Sequence, residues 1–545
     1  MNEQDKRTTS SPRPVLIVGA GPTGMTAAME LSRLGVSVRI VDKLVSPSTT
    51  SRALAVQTRT LELFEQRGLI QEMLRIGNKG TAVTIYGDGK RLGKVHLEEI
   101  KSRYNFIILI PQSETERILR EQLVRQDVEI EHGTEMIAFA QSESSAQPGQ
   151  GGVKAVLRNR EGELEELEAA YLISAEGSHS LVRRTLNLQF QGKSIDQNYA
   201  LADLHLDSNL PDDELLLFTC AHGFMAVFPM GDRHFRFMAT DPDQHANDEP
   251  TLEKLQKLYD QNSHIPARLR DLTWSSRFRI NSWMLHTLRE RRIFFGGDAA
   301  HIHSPAGGQG MNTGIQDMID LSWKLAMVWH GKAARELLNT YEEERLPIIR
   351  SIVSSTEAAT DTLNSDSMIV HQLITLLTPV FLNTHLVQQL STAMVSEVAA
   401  NYRKSSLSQT YHVHGNLQAG DRMPDMDVLT WNLDSLSDTQ LRKMRLYEIL
   451  DPSCFTLLVA GGESTTNLFA TWKEQLGSWH GFLKLQRIAP ASTQPEAKIQ
   501  FDSAFSSSQS LFLVRPDSYL GFVGNQNALP ALIEWLGRWF PPTAN

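Results

Sequence analysis

The sequence predicts an α/β fold: a parallel sheet wound by helices, an antiparallel sheet inserted into it, and a further unit at the C-terminus. Three observations predict it. A strand, glycine turn, helix and second strand fill residues 15–42. A later apolar strand runs through a glycine-rich loop into a long helical pattern between residues 292 and 330. Between the two, apolar runs separated by Gly-Asp turns read as hairpins.

Val15-Leu16-Ile17-Val18 is a short apolar run, as expected of a parallel strand buried on both faces. Gly19-Ala20-Gly21-Pro22-Thr23-Gly24 follows, then a helical pattern through Ala27, Leu31 and Leu34 that Gly35 stops. A second strand, Val36 to Val41, ends at Asp42, so the unit occupies 28 residues. Each glycine has a use. Gly19 permits the tight turn, Gly21 lets the backbone approach a pyrophosphate, and Gly24 lets helix and sheet pack closely. The helix N-terminus offers N–H groups and a positive dipole to the phosphates. Asp42 stands 18 residues beyond Gly24, where a carboxylate can take an adenosine ribose. The unit reads as Rossmann-like and dinucleotide-binding, without separating FAD from NAD.

The stretch Arg292 to His301, with Gly296-Gly297-Asp298 at its turn, continues through Ser304-Pro305-Ala306-Gly307-Gly308-Gln309-Gly310-Met311-Asn312 into a helix from about Thr313 to His330. Asp298, at a strand's end, can accept bonds from a ribityl hydroxyl. Gly307, Gly308 and Gly310 keep the backbone bare beside a flat ring. The following helix N-terminus would stabilise the negative charge a reduced isoalloxazine carries. These features choose FAD.

Tyr171-Leu172-Ile173-Ser174-Ala175-Glu176-Gly177, followed by Arg183-Arg184, is a third strand-to-turn signal. Together the three motifs resemble those of the class A flavoprotein monooxygenases, the para-hydroxybenzoate hydroxylase superfamily. Within it the chain is most similar to the longer phenol hydroxylases, pentachlorophenol monooxygenases and aromatic polyketide hydroxylases. Arg52 to Glu62 and Pro111 to Arg117 carry the subgroup resemblance. One departure is plain: the family has Asp-Gly at the third motif, and this chain has Glu176-Gly177.

The resemblance implies a cofactor-binding set of Gly19, Gly21, Pro22, Thr23, Gly24, Asp42, Arg52, Gln112, Glu176, Asp298, Pro305, Gly308, Gly310, Met311 and Asn312. Gly19, Gly21 and Gly24 would face the pyrophosphate and Asp42 the adenosine ribose. Arg52 and Gln112 would lie near the pyrophosphate and ribityl chain, Asp298 on the ribityl hydroxyls, and Pro305 with Gly308 to Asn312 along the flavin ring. Arg52, Gln112 and Glu176 can also be read as surface or cap residues.

Ala82–Tyr86 with Arg91–Leu97, and Phe224–Met230 with His234–Ala239, predict hairpins of one antiparallel sheet that roofs the ring and shapes a substrate pocket. Residues 313 to about 410 read as helical, with Pro347 marking a kink or a break. Phe455–Val459 and Leu511–Val514 read as strands and Leu532–Trp539 as an amphipathic helix. This last region resembles the thioredoxin-like domain of the phenol-type hydroxylases. Thioredoxin chemistry needs a CxxC pair, and Cys454 stands alone, so a structural domain is expected. The expected division is 12–74, 111–184 and 286–350 for a discontinuous FAD-binding domain. Residues 75–110 and 185–285 make the substrate sheet, 351–415 a helical connection, and 416–545 the thioredoxin-like domain.

Composition narrows the classes. At 545 residues, a prior of about three or four domains applies. The chain is 41% hydrophobic and 21% charged, the balance of a globular protein. A net charge of −10 argues against a nucleic-acid partner. Two cysteines, Cys220 and Cys454, exclude a disulfide framework and a Cys-rich metal site, and fit the cytoplasm. The polar stretch Met1–Pro14 does not read as a signal peptide. Leu373–Val387 is too interrupted by polar residues for a membrane span. His301 and His303 read as loop-ordering residues, and no metal site is expected.

The resemblance thus implies an FAD-dependent monooxygenase that uses NADPH or NADH, as a transient co-substrate, and O₂. It would hydroxylate a small phenolic or polyketide-like aromatic substrate through a flavin C4a-hydroperoxide. Baeyer–Villiger or epoxidising chemistry on the same fold is the alternative, and a non-catalytic flavoprotein scaffold a third reading. A homodimer is left open. No catalytic residue is identified: Leu54 stands where phenol hydroxylase has an acid, and Tyr104, His222 and His234 are pocket candidates only by their place in the expected sheet.

Overall fold

The computed structural model describes residues 13–47, 53–142, 151–220, 223–243, 248–304, 308–363, 392, 396–411, 415–431, 441–461, 472–491, 495–505 and 510–542. Arg52, Pro305, His222, the stretch Leu373–Val387 and most of the polar loop in 141–152 lie outside these residues.

Val15–Val18 and Tyr171–Ser174 are buried at every position, which is what strands sandwiched between helical layers require. They lie side by side in a six-stranded sheet, in the order Arg289–Glu290, Ile293–Phe295, Tyr171–Ser174, Val15–Val18, Val38–Asp42, Ile130–His132. All neighbours pair in parallel except the first two. Parallel pairing has a direct consequence for the site. The turns that leave Val15–Val18, Tyr171–Ser174 and Ile293–Phe295, which carry the three glycine motifs, emerge at one edge of the sheet.

The helix Pro22–Arg33 starts with proline at its first position, where a missing N–H costs no bond. It packs against a second helix, Gly310–Trp329, which is buried all round from Asn312 to Met327. This helix begins three residues before the expected Thr313. Gly314 lets the helix pack close: a Cβ there would meet Thr23 Oγ1 at 2.5 Å and the Gly297 Cα at 3.0 Å.

An eight-stranded sheet lies beside this layer, in the order His301–Ile302, Ala267–Met284, Gln191–Ser208, His234–Asp241, Gly223–Gly231, Glu214–Cys220, Ala82–Gly87, Lys90–His96. Both expected hairpins are present. The sheet is not wholly antiparallel, since Ala82–Gly87 pairs in parallel with Glu214–Cys220. The two hairpins come from distant parts of the chain, so no tight turn dictates their relative sense. One face packs Phe235, Phe237 and Ala239 under the helix Leu252–Ser263. The other carries Tyr199, Leu201, Phe224, Ala226, Met238 and Ile280.

Pro347 does not break the chain: one helix runs Asn339–Leu363 through it. Proline removes one hydrogen bond there, and burial of Tyr341, Ile349 and Val353 in the main core outweighs the loss. The C-terminal region forms a seven-stranded sheet with Phe455–Ala460 at its centre, covered by Leu529–Trp539. Leu532, Trp535 and Leu536 share a core with Phe455 and Leu511, and with Trp323 and Met327 of the helix Gly310–Trp329. The C-terminal sheet is thus packed onto the helical layer of the parallel sheet. Among the described residues no helix is long and apolar enough to cross a membrane.

Candidate cofactor-binding site

The first glycine turn is built by close contacts that only glycine survives. Gly19 has a φ of 102°, and a Cβ on it would fall 2.2 Å from the Ala175 carbonyl oxygen. At Gly24 a Cβ would fall 1.8 Å from the Gly19 carbonyl oxygen. Gly21 differs: a Cβ there meets nothing within 4 Å, so its glycine leaves open space in front of the helix N-terminus. A bare backbone, a free approach and a helix dipole are what a diphosphate requires.

Asp42 stands at the end of Val38–Asp42, where its Oδ2 accepts from the Ala20 amide at 2.7 Å and Oδ1 from the Leu44 amide at 2.8 Å. It ties the glycine turn to the second strand. Gln112 opens the helix Gln112–Arg125; its Oε1 accepts from the Ala53 amide at 3.2 Å and its Nε2 donates to Glu116 at 2.8 Å. The side chain therefore anchors the segment that follows Arg52.

Glu176 turns inward. Its carboxylate accepts from Ser174 Oγ at 2.8 Å, Ser180 Oγ at 2.6 Å, and the Leu181 and Val182 amides at 3.0 and 3.2 Å. It satisfies the start of the short helix Leu181–Thr185, the cap role the sequence left open. Gly177, at φ 76°, turns the backbone back over it.

Asp298 is exposed on the single turn Gly297–Ala299. Gly297 has a φ of 56° and is wedged against Thr23, whose Oγ1 lies 2.4 Å from the position of a Cβ. This contact joins the first and second motifs. Asn312 is buried in the first turn of Gly310–Trp329. Its Oδ1 accepts from the Gln57 amide at 3.0 Å, and its Nδ2 donates to the Ala55 and Gly308 carbonyls, both at 2.9 Å. Gly308, at φ 63°, holds a left-handed backbone that suits glycine, and a Cβ on it would press on the Ala55 Cβ at 3.0 Å. Met311 is packed on the main core and Gly310 starts the helix. Two helix N-termini thus converge on one edge of the parallel sheet.

The pocket candidates fare differently. Tyr104 is buried in the main core, where burial pushes its hydroxyl well above the usual range. His234 lies at a strand end, its ring tilted 37° against that of His205 5.2 Å away. Leu54 is packed in an apolar cluster with Ala55, Leu97, Ile107 and Leu109. Among the described residues no group of three or more His, Cys, Asp or Glu side chains gathers as a metal ion requires.

Four buried groups lie beneath this edge: sequence reasoning read His301 as loop-ordering and missed Asp317, Arg345 and Glu397. His301 Nε2–H donates to Asp317 at 2.7 Å, Arg345 Nε–H donates to Asp317 at 2.8 Å, and Glu397 accepts from Gln316 and from Thr313 Oγ1. No fixed spacing joins positions 301, 317, 345 and 397. One signal was available. A helix as apolar as Gly310–Trp329 is buried all round, so each charge on it must be paired.

Burial pushes the Glu397 carboxyl up to about 7, against the Arg345 guanidinium and the Gln316 and Thr313 donors that favour its charged form. The folded chain therefore binds a proton that the unfolded chain has released, and stability falls as pH rises from about 4.5 to 7. Glu397→Gln abolishes this loss. Relative to wild type, the variant should gain about 3 kcal/mol at pH 8 compared with pH 4.5. Denaturant unfolding at the two pH values measures the gain, and parallel curves would refute the assignment.

The fold and its glycine edge define a dinucleotide-binding flavoprotein, and comparison with known proteins agrees. A family model described as an FAD binding domain matches residues 13–356. 6-Methylpretetramide 4-monooxygenase of Streptomyces rimosus is 39% identical over 351 residues, 64% of this chain and 61% of that protein. Pentachlorophenol 4-monooxygenase of Sphingobium chlorophenolicum is 30% identical over 458 residues, 83% of this chain and 80% of that one. The solved structure of the anhydrotetracycline hydroxylase OxyS from Streptomyces rimosus superposes with a TM-score of 0.77 at 26% identity, covering 98% of this chain and all of that one. The chain belongs to the FAD-binding class A flavoprotein monooxygenases, in the group of pentachlorophenol and aromatic polyketide hydroxylases. It is a flavin-dependent aromatic hydroxylase that works with FAD, NAD(P)H and O₂.

Proposed function

We propose that the substrate is a phenolic or polyketide-like aromatic compound, hydroxylated on the sheet face that adjoins the flavin edge. One observation carries this reading. Asn312 and Gly308 hold Ala55, and Phe228 packs both on the Ala55 cluster and on the Tyr199, Phe224 and Met238 face of the eight-stranded sheet. Phe278 stacks on Tyr199 5.5 Å away, and Trp274 packs on the same face. Flat, apolar walls of this kind suit a flat, apolar substrate.

FAD supplies the activation of O₂ once NAD(P)H has reduced it. The chain's own residues bind, orient and keep the site dry. In this reading Gly19, Gly21, Pro22, Thr23 and Gly24 hold the pyrophosphate, and Asp42 turns from the Ala20 amide to the adenosine ribose. Arg52 and Gln112 stand near the pyrophosphate and ribityl chain, and Asp298 takes the ribityl hydroxyls. Pro305, Gly308, Gly310, Met311 and Asn312 border the ring. Glu176 acts by ordering its turn. Leu54 and its apolar neighbours would keep water away from the reacting atoms.

The reading also keeps the division into 12–74, 111–184 and 286–350, 75–110 and 185–285, 351–415, and 416–545. The last unit is read as thioredoxin-like. Its support is the strand order Leu520–Asn525, Ser510–Val514, Phe455–Ala460, Leu483–Pro490, parallel only in the last pair and followed by Leu529–Trp539. Cys454 gives it no redox role, because burial pushes the thiol up to about 12, away from the thiolate that exchange needs. A homodimer in the cytoplasm completes the reading.

The test is a substrate panel. Purified protein should carry yellow flavin, and phenols or polycyclic aromatics should stimulate NAD(P)H oxidation about tenfold or more with hydroxylated product. Stimulation by ketones with ester products, and none by phenols, would overturn the proposal.

A further inference from the structure

Asp317 lies about two turns into the helix Gly310–Trp329 and is fully buried. A carboxylate so placed survives only with donors around it, and it has three. Its Oδ2 accepts from His301 Nε2–H at 2.7 Å and from the Gly297 amide at 3.2 Å, and its Oδ1 from Arg345 Nε–H at 2.8 Å. Burial alone would raise its carboxyl, and Arg345 with His301 holds it below the usual range instead. Every Arg345 nitrogen has a partner: besides Nε, Nη2–H donates to the Thr313 carbonyl at 3.3 Å and Nη1–H to Tyr402 at 3.2 Å.

These bonds tie together parts of the chain that are distant in sequence. Gly297 immediately precedes Asp298, and Thr313 lies in the helix turn after Asn312. His301 starts the short strand His301–Ile302 that pairs with Trp283 and Met284 of the substrate sheet. His301 also stacks on His303, with ring planes 9° apart, and His303 Nδ1–H donates to the Ser304 carbonyl at 3.1 Å. One carboxylate therefore sets the ribityl turn, the helix end and the loop between them.

We propose that Asp317, with His301 and Arg345, is a positioning residue for FAD, fixing Asp298 and the first turn of Gly310–Trp329 in the geometry the cofactor meets. The proposal rests on the reading that this turn and helix end border the flavin. Asp317 touches no cofactor atom in it. Removing its charge frees the Gly297 amide and His301, and the turn loses its single geometry.

The experiment titrates FAD into apoprotein of Asp317→Asn and of Asp320→Asn, following flavin fluorescence and the visible spectrum. Asp320 is a second buried carboxylate on the same helix, bonded instead to Lys324 and Arg515. A positioning role predicts FAD binding about tenfold weaker or more in Asp317→Asn, with an altered absorption band of the bound flavin. Asp320→Asn should bind within about twofold of wild type, because its loss costs stability and not geometry at the turn. Should Asp317→Asn fail to fold, Arg345→Lys reads the same role: the lysine keeps a charge on Asp317 but cannot also reach Thr313 and Tyr402. It should weaken FAD at least threefold or so. Wild-type affinity and an unchanged spectrum in Asp317→Asn, or in Arg345→Lys where that variant stands in, would overturn the proposal. So would equal weakening in Asp320→Asn. Wild-type protein that binds no FAD would instead overturn the flavin reading beneath it.

Discussion

Gly24→Val should yield a poorly folded chain that retains no FAD, whereas Gly21→Ala should fold as wild type and still lose the cofactor. The two glycines lie three residues apart and face opposite constraints. A Cβ at Gly24 would stand 1.8 Å from the Gly19 carbonyl oxygen and 3.3 Å from the Ala175 Cβ. Those are backbone and core atoms, so the helix Pro22–Arg33 must lift off the sheet to admit a valine. Overpacking of this kind costs about 1–3 kcal/mol in a tolerant core, and more where backbone is struck. A Cβ at Gly21 meets nothing in the protein. Its methyl would occupy the space through which a pyrophosphate reaches the helix amides. Thermal unfolding of the apoproteins separates the cases: a large loss for Gly24→Val and none for Gly21→Ala. FAD titration should then show binding weakened about tenfold or more in Gly21→Ala. Undiminished affinity there would remove the first motif from the site.

The contrast also explains what could be read from sequence. A glycine turn between a buried strand and a helix is local, so the positions of Gly19, Gly21 and Gly24 followed from spacing alone. The strand ends that carry Glu176 and Asp298 were legible for the same reason. Their side-chain partners were not. Glu176 could reach outward to a cofactor or inward to a cap, and its bonds to Ser180 and Leu181 depend on a turn geometry that no residue pattern encodes. Asp42 bonding Ala20, and Asn312 bonding Ala55 across 257 positions, depend on sheet order and helix packing, which no local pattern encodes. Pro347 shows the reverse case: a strong local rule allowed a break, yet the buried face of Asn339–Leu363 carries one helix through it.

Arg515→Met should cost about 3–5 kcal/mol and loosen the C-terminal sheet from the flavin layer. Arg515 is wholly buried and donates to Glu344 at 2.7 and 2.8 Å, to Asp320 at 3.1 Å and to Asp517 at 2.5 Å. Lys324 reaches Asp320 and Glu344 at 2.7 and 2.6 Å from the other side, and the Trp323 indole N–H donates to Asp517 at 3.0 Å. Two cations thus serve three carboxylates between the C-terminal sheet and the helices Gly310–Trp329 and Asn339–Leu363. Methionine fills similar space but leaves buried negative charge uncompensated. The pH dependence has a definite sign. Burial acts to raise the Glu344 carboxyl, and Arg515 with Lys324 overcomes it and holds the group below the usual range. In wild type that contribution is present above about pH 4.5 and lost as pH falls further. In the variant Glu344 loses its main hold and can take up a proton, so acid relieves part of the damage. The stability gap between wild type and Arg515→Met should therefore narrow as pH falls from about 7 to 4.5. Arg403→Ala supplies the scale: its ion pair with Asp421 leaves the arginine side chain 47% exposed, and such pairs contribute less than about 1 kcal/mol. If Arg515→Met unfolds no more easily than Arg403→Ala, the buried charges are not what fastens the C-terminal sheet, and the shared apolar core of Trp323, Met327 and Phe455 must do it alone.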